Sequence, residues 1–147
     1  MLVNIDGDIL DCKSQVIAHQ ANCVSKEAGG LAKFIFKKFP WADTYSKRED
    51  VNCESDKPGT ITVLGNGKDQ RYVINMYAQF YPGKAQFGND TKEKRIEFFQ
   101  TCLDKIAKVN GLRSIAFPYQ IGCGLAGGVW ETYRSVSDPR INSWACA

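Results

Sequence analysis

Histidine is almost absent from this chain of 147 residues: His19 is the single imidazole. There are six cysteines, and no two of them form a Cys-x-x-Cys pair, so a Cys/His zinc site is not supported and no metal or cofactor is called for. Long apolar runs are also missing. None approaches the roughly 20 residues that cross a bilayer. The opening Met1-Leu2-Val3-Asn4-Ile5-Asp6 turns polar at once, unlike a secretory leader. These absences lead to the expectation of a cytoplasmic protein with reduced thiols. Charge of one sign is scarce too, with a net value of +3. Lys37-Lys38 and Lys92 to Arg95 are short clusters that read as solvated helix faces. A nucleic-acid binder would carry a denser basic stripe, whereas a weakly positive balance suits a small anionic ligand. No repeat, linker or low-complexity segment interrupts the chain, which reads as one domain over 1–147.

What is present alternates between strand and helix. Leu2, Val3 and Ile5 read as a first strand, and Val16 to His19 as a second. Leu31 to Phe39 has apolar residues at 31, 34, 35 and 39, the spacing of a helix, and Pro40 ends it. Trp41 to Arg48 reads as a further short helix. Thr60 to Leu64 and Arg71 to Met76 flank Gly65-Asn66-Gly67 as a hairpin. Asp90 to Asn110 is the clearest helix. Asp90 and Glu93 suit a capping box, and Ile96, Phe99, Leu103 and Ile106 form one apolar face. Ser114 to Phe117 reads as a buried strand, and Val129 to Val136 as a last helix. Such alternation predicts an α/β fold, three layers deep, with a mixed central sheet. Arg140 to Ala147 lack a clear strand pattern, so the end of the chain reads either as having lost a last strand, which would leave a sheet edge for a partner to cover, or as divergent.

Ligands of α/β sheets sit beyond the carboxyl ends of strands. Three loops qualify: Gly7-Asp8-Ile9, Gln20 to Leu31, and Tyr119 to Gly128. The last holds Gly122, Gly124, Gly127 and Gly128 between a strand and a helix. Glycine lets backbone N–H groups approach an anion, so this is a candidate phosphate cradle. It lacks the Lys-Ser/Thr ending of a P-loop and the spacing of a dinucleotide fingerprint. Asn22 offers an amide donor and acceptor to ribose hydroxyls, or holds its own turn. Asp8 is either an acceptor for an amino group or a helix cap. His19 is either a core histidine or a group facing a ligand phosphate. Cys23 and Cys123 lie in the candidate loops with no base at hand except His19, a poor setting for a thiolate nucleophile.

Taken in order, Gly7-Asp8-Ile9, Val16 to Cys23, Gly29-Gly30-Leu31-Ala32 and Phe117 to Trp130 resemble the macrodomain family over residues 1 to about 136. The resemblance is nearest to short phage-type members and to the branch of ADP-ribose 1″-phosphate phosphatases and terminal ADP-ribose glycohydrolases. It implies a cleft for ADP-ribose or ADP-ribose 1″-phosphate, with ADP-ribosylated macromolecules as further partners. It implies that Asp8 meets the adenine amino group and Ile9 offers its N–H. Asn22 would hold the distal ribose, with Gly29, Gly30 and Leu31 around it. Gly122, Cys123, Gly124, Leu125 and Ala126 would cradle the diphosphate, and Tyr77 and Tyr119 would wall the cleft. His19 matches the strand-end His of the phosphatase pattern and would be the catalytic residue. The glycohydrolase branch uses a Lys after the hairpin and an Asp in the last loop. Here Asn75-Met76-Tyr77-Ala78 and Gly124-Leu125-Ala126 hold neither. The resemblance therefore points to hydrolysis of ADP-ribose 1″-phosphate, in the host cytoplasm if the chain is phage-encoded. The alternatives are a non-catalytic ADP-ribose reader and a hydrolase of modified protein or nucleic acid.

Overall fold

A computed structural model describes residues 4–49, 57–86, 88–124, 126–128 and 144–145. Its strands are β1 (Asn4–Ile5), β2 (Val16–Ala21), β3 (Ile61–Leu64), β4 (Tyr72–Tyr77), β5 (Ile115–Ala116) and β6 (Trp144–Ala145). Its α-helices are α1 (Gly30–Lys38) and α2 (Lys92–Ala107), with 3-10 turns at Ile9–Asp11, Pro40–Ala42 and Gly88–Asp90. Four strands pair in the order β3-β4-β2-β5. β2 runs parallel to both β4 and β5, and β3 is antiparallel to β4, which makes the sheet mixed.

Alternation along the two central strands builds two cores. Ile17, Ala21, Val73 and Tyr77 face α1, where Ile35, Phe36 and Phe39 meet them. Val16, Ala18, Ile74 and Met76 face the opposite way, against Phe99, Cys102, Leu103 and Ile106 of α2. A period of two sends alternate residues to opposite faces, so each strand feeds both cores and the sheet is sandwiched between helices. Full burial of each such aliphatic or aromatic side chain contributes about 1.5–3 kcal/mol.

A C-terminal strand is present, against the reading in which it is lost. Trp144 and Ala145 pair in parallel with Asn4 and Ile5, and β6 also contacts β5. The motive for a partner covering that edge is thereby removed. Other differences are local. α1 buries Ala32, Ile35 and Phe36, while Phe34 is 58% exposed, so the apolar stripe lies one step round from the expected one. Trp41 to Arg48 forms only the Pro40–Ala42 turn followed by bends, because Asp43 accepts from the N–H groups of Tyr45 and Ser46 in a local turn. α2 is capped by Thr91, whose Oγ1 accepts from Lys94 N, and not by Asp90. Val129 to Val136 lies outside the described residues. No helix among the described residues is long and apolar enough to cross a membrane.

Candidate functional site

A cleft of about 620 Å³ opens where β2, β4 and β5 end. Its volume is that of a small-molecule site. One wall is the start of α1: Gly29, Gly30, Leu31 and Ala32 all line it. No side chain caps this helix, so its first-turn N–H groups are left for whatever enters. The facing wall is the loop after β5, from Pro118 to Gly124 and Ala126. This loop is closed by its own backbone, with Cys123 N donating to Gln120 O and Gly128 N to Gly122 O. Gly122 takes φ 77°, a left-handed turn that favours glycine. Gln120 adopts φ 56°, a conformation costly for a residue with a side chain and often found at binding sites.

Asn22 stands at the end of β2. Its Oδ1 accepts from Val24 N at 3.0 Å and Ser25 N at 2.8 Å, which pins the loop. Its Nδ2 has no protein partner among the described residues, so a donor, and no acceptor, is left for the cleft. The loop is held from behind as well. Arg48 donates to Asn22 O and Ser25 O, and Asn22 N donates to Tyr45 Oη at 2.7 Å. The Arg48 guanidinium lies 4.4 Å from the centre of the Tyr45 ring. Burial pushes the Tyr45 hydroxyl well above its ordinary pKa, which keeps it a neutral partner.

His19 lies on the α1 face of β2, edge-on to Phe36, and only 2% of it is exposed. Asn75 Nδ2 donates to Ala42 O, so Asn75 Oδ1 is the acceptor in its 2.6 Å contact with His19 Nε2. The imidazole therefore carries its proton on Nε2 and presents a lone pair on Nδ1, a buried atom with no partner among the described residues. Burial lowers its pKa to about 4, against a smaller opposing effect of the Asn75 bond. The ring is neutral at pH 7 and is a hydrogen-bond acceptor there, not an acid.

The cleft brings together His19, Asn22, Gly29, Gly30, Leu31, Tyr119, Gly122, Gly124 and Ala126. The structure leaves four expected residues elsewhere. Asp8 is exposed and accepts from Leu10 N, the cap of the Ile9–Asp11 turn. Ile9, expected to offer its N–H, does not line the cleft, and its side chain is fully buried in the α1-side core. Tyr77 is fully buried too, with its hydroxyl on Thr44 and Thr62, so it does not wall the cleft. Cys123, expected to offer its N–H, does not line the cleft: its N–H donates to Gln120 O and its side chain packs against the α2-side core. Leu125 lies outside the described residues.

Gln20, placed in a candidate loop but given no role, lines the cleft, as do Gln79 and Pro82-Gly83, which the sequence reading left out. Gln20 lies near the end of β2, two residues before Asn22, a signal that alternation offers. The other three follow β4. Reading β3 and β4 only as a hairpin hides the parallel pairing of β4 with β2, which puts both carboxyl ends on one side. The described lining contains no Asp, Glu, Lys or Arg.

Fold and cleft define a three-layer α/β module that offers a ligand backbone N–H groups and side-chain amides at the ends of parallel strands. The Macro domain model matches residues 18–136, and the chain belongs to the macrodomain family. An uncharacterized protein of Thermoplasma volcanium is 27% identical over 137 residues, covering 86% of this chain and 67% of that one. The macrodomain of Mycobacterium tuberculosis DarG is similar in fold, with a TM-score of 0.76, 20% identity and coverage of 99% and 97%. A macrodomain variant from Oceanobacillus iheyensis, solved with ADPR, has a TM-score of 0.66, 20% identity and coverage of 99% and 84%.

Proposed function

We propose that this chain binds ADP-ribose in the cleft. One observation carries the reading: the uncapped first turn of α1 faces the Gly122 to Gly124 loop across a ligand-sized space whose described lining holds no carboxylate. A diphosphate fits between these walls. Helix-start N–H groups and the dipole of α1 favour the negative charge, and glycine lets it come close. Asn22 Nδ2 then donates to a hydroxyl of the distal ribose. The Oceanobacillus macrodomain bearing ADPR supports the choice of ligand. Because a Cβ at Gly124 meets nothing within 4 Å, Gly124→Val adds bulk to the cleft loop without a clash at Cβ. Titration calorimetry should find ADP-ribose bound by the parent chain and at least about tenfold weaker in Gly124→Val. Equal affinities would refute the reading.

Binding without turnover is the simplest use of such a lining, since it holds neither a carboxylate nor an amine to act as acid, base or nucleophile. A second reading, hydrolysis of ADP-ribose 1″-phosphate to ADP-ribose and phosphate, is favoured by His19 alone. The residue lines the cleft, and its neutral, buried Nδ1 has no partner among the described residues. In that reading His19→Gln stops phosphate release and keeps ADP-ribose affinity. A parent chain that binds ADP-ribose but releases no phosphate is a reader.

A further inference from the structure

Two Asn-Gly pairs occur in the chain, Asn66-Gly67 and Asn110-Gly111, and the fold treats them differently. In such a pair the glycine nitrogen meets little hindrance on its way to the amide carbon of the preceding side chain, because glycine has no Cβ. All four residues are exposed, so access to water does not separate the pairs. Hydrogen bonding does. In the turn between β3 and β4, Asn66 Oδ1 accepts from Lys68 N at 2.9 Å and Gln70 N at 3.1 Å, and Asn66 Nδ2 donates to Asp69 Oδ1 at 2.7 Å. Gly67 N donates to Gln70 O at 2.8 Å. Amide and nitrogen are both engaged, in a local turn of the kind Asn favours. Asn110-Gly111 lies in the connection from α2 to β5. Neither the Asn110 amide nor Gly111 N has a hydrogen-bond partner among the described residues.

We propose that Asn110 is a site of spontaneous modification, deamidating to aspartate and isoaspartate, and that the fold protects Asn66 from the same reaction. Gly111 N gives its proton to hydroxide and bonds to Asn110 Cγ. The bond from Cγ to Nδ2 breaks, and ammonia leaves with the proton it needs. Water then opens the cyclic imide. Cleavage at Cγ gives aspartate, and cleavage at the main-chain carbonyl gives isoaspartate, with one extra carbon in the backbone. Either product lowers the net charge of +3 by one. The extra carbon falls next to a stitch between elements. Gly111 O accepts from Gln15 Nε2 at 3.3 Å, and Gln15 Oε1 accepts from Arg113 N at 2.7 Å, which ties the α2–β5 connection to the start of β2. At Asn66 the same attack would first have to break the bond of Gly67 N and those of the amide, so the two sites differ in barrier and not in chemistry.

The test incubates the full chain at mildly alkaline pH and follows both sites by peptide mapping with mass spectrometry. Enzymatic methylation of isoaspartate identifies the product. In the native chain Asn110 should convert at least roughly tenfold faster than Asn66. In concentrated guanidinium chloride the bonds around Asn66 are gone, and the two sites should convert at comparable rates. Asn110→Ser removes an exposed amide without partners, so this variant should fold and lose the fastest-forming acidic species on ion exchange. Equal native rates, or a faster Asn66, overturn the proposal. A gap as wide in denaturant as in the native chain overturns it too, since neighbouring residues and not the fold would then set it. No conversion of Asn110, or an acidic species that forms as fast in Asn110→Ser, removes the site itself.

Discussion

At the scale of one residue, His19 separates stability from chemistry. Its neutral form is required by burial, and only about 4 is left of an ordinary value of 6.5. The unfolded chain therefore binds a proton that the native chain refuses between these two values. The contribution of a neutral His19 is present in full above pH 6.5 and is lost as pH falls toward 4, about 3 kcal/mol in all. Denaturant melts of the parent and of His19→Gln from pH 7.5 to 4 should diverge in slope, the parent losing more stability on acidification. Parallel curves would mean that the imidazole is not buried. Asn22 is the complementary case, because its two ends do different work. Asn22→Asp keeps the acceptor that pins Val24 and Ser25 and replaces the Nδ2 donor by a second acceptor. It should fold with a thermal midpoint near that of the parent and lose ADP-ribose affinity by roughly tenfold or more. An unaltered affinity would mean that the amide donor never meets the ligand.

Between elements, the cleft depends on one buried ion pair. Asp90 is fully buried and accepts from Phe80 N and Tyr81 N, the backbone that follows β4. Arg95 of α2 meets it at 2.6 Å and 3.0 Å and donates onward to the carbonyls of Tyr81, Gly83, Lys84 and Ala126. Gly83 and Ala126 belong to different cleft walls, so one guanidinium ties the loop after β4 to the loop after β5. A planar fork with five donors can do this and an ammonium cannot. Arg95→Lys keeps the charge and leaves most of those carbonyls unpaired. Breaking a buried pair of this kind costs about 3–5 kcal/mol. Urea melts should register a loss of that order for Arg95→Met, a smaller one for Arg95→Lys, and weakened ADP-ribose binding in both. Loss of stability with full affinity would mean that the walls hold without the clamp. The pair also marks where sequence reading stops. In Lys92 to Arg95 the arginine looks like one more solvated charge, and Asp90 looks like a cap. Local pattern reports which side chains repeat on a face, and it cannot report that four carbonyls from two distant loops converge on one of them. The alternation of β2 and β4 and the apolar face of α2 were legible because each is a local period meeting a broad apolar surface. Asn22 and the glycine loops were legible as cleft lining because tight turns at strand ends favour those residue types. Gln79 and Gly83 were not, because their place depends on which strand β4 pairs with.

For the whole molecule, the site is where the ends of β2, β4 and β5 converge, and each contributes a wall. A ligand held by all three is linked to the folding of the entire sheet and not to one loop. It stabilises the native state by RT ln(1 + [L]/Kd), about 2.7 kcal/mol at a hundredfold excess over Kd. For a domain of this size each kcal/mol moves the melting midpoint by roughly 3 °C, so saturating ADP-ribose should raise it by about 8 °C in a single transition. The net charge of +3 is spread over the surface, and the described lining has no cation, so the shift does not depend on a cluster of lysines or arginines. Raising salt from 50 to 500 mM should leave most of it in place, because dipoles inside a cleft are screened less than exposed charges. A shift abolished by salt would move the binding from the cleft to the charged surface. A shift confined to one of two separable transitions would mean that the three walls do not fold as a unit.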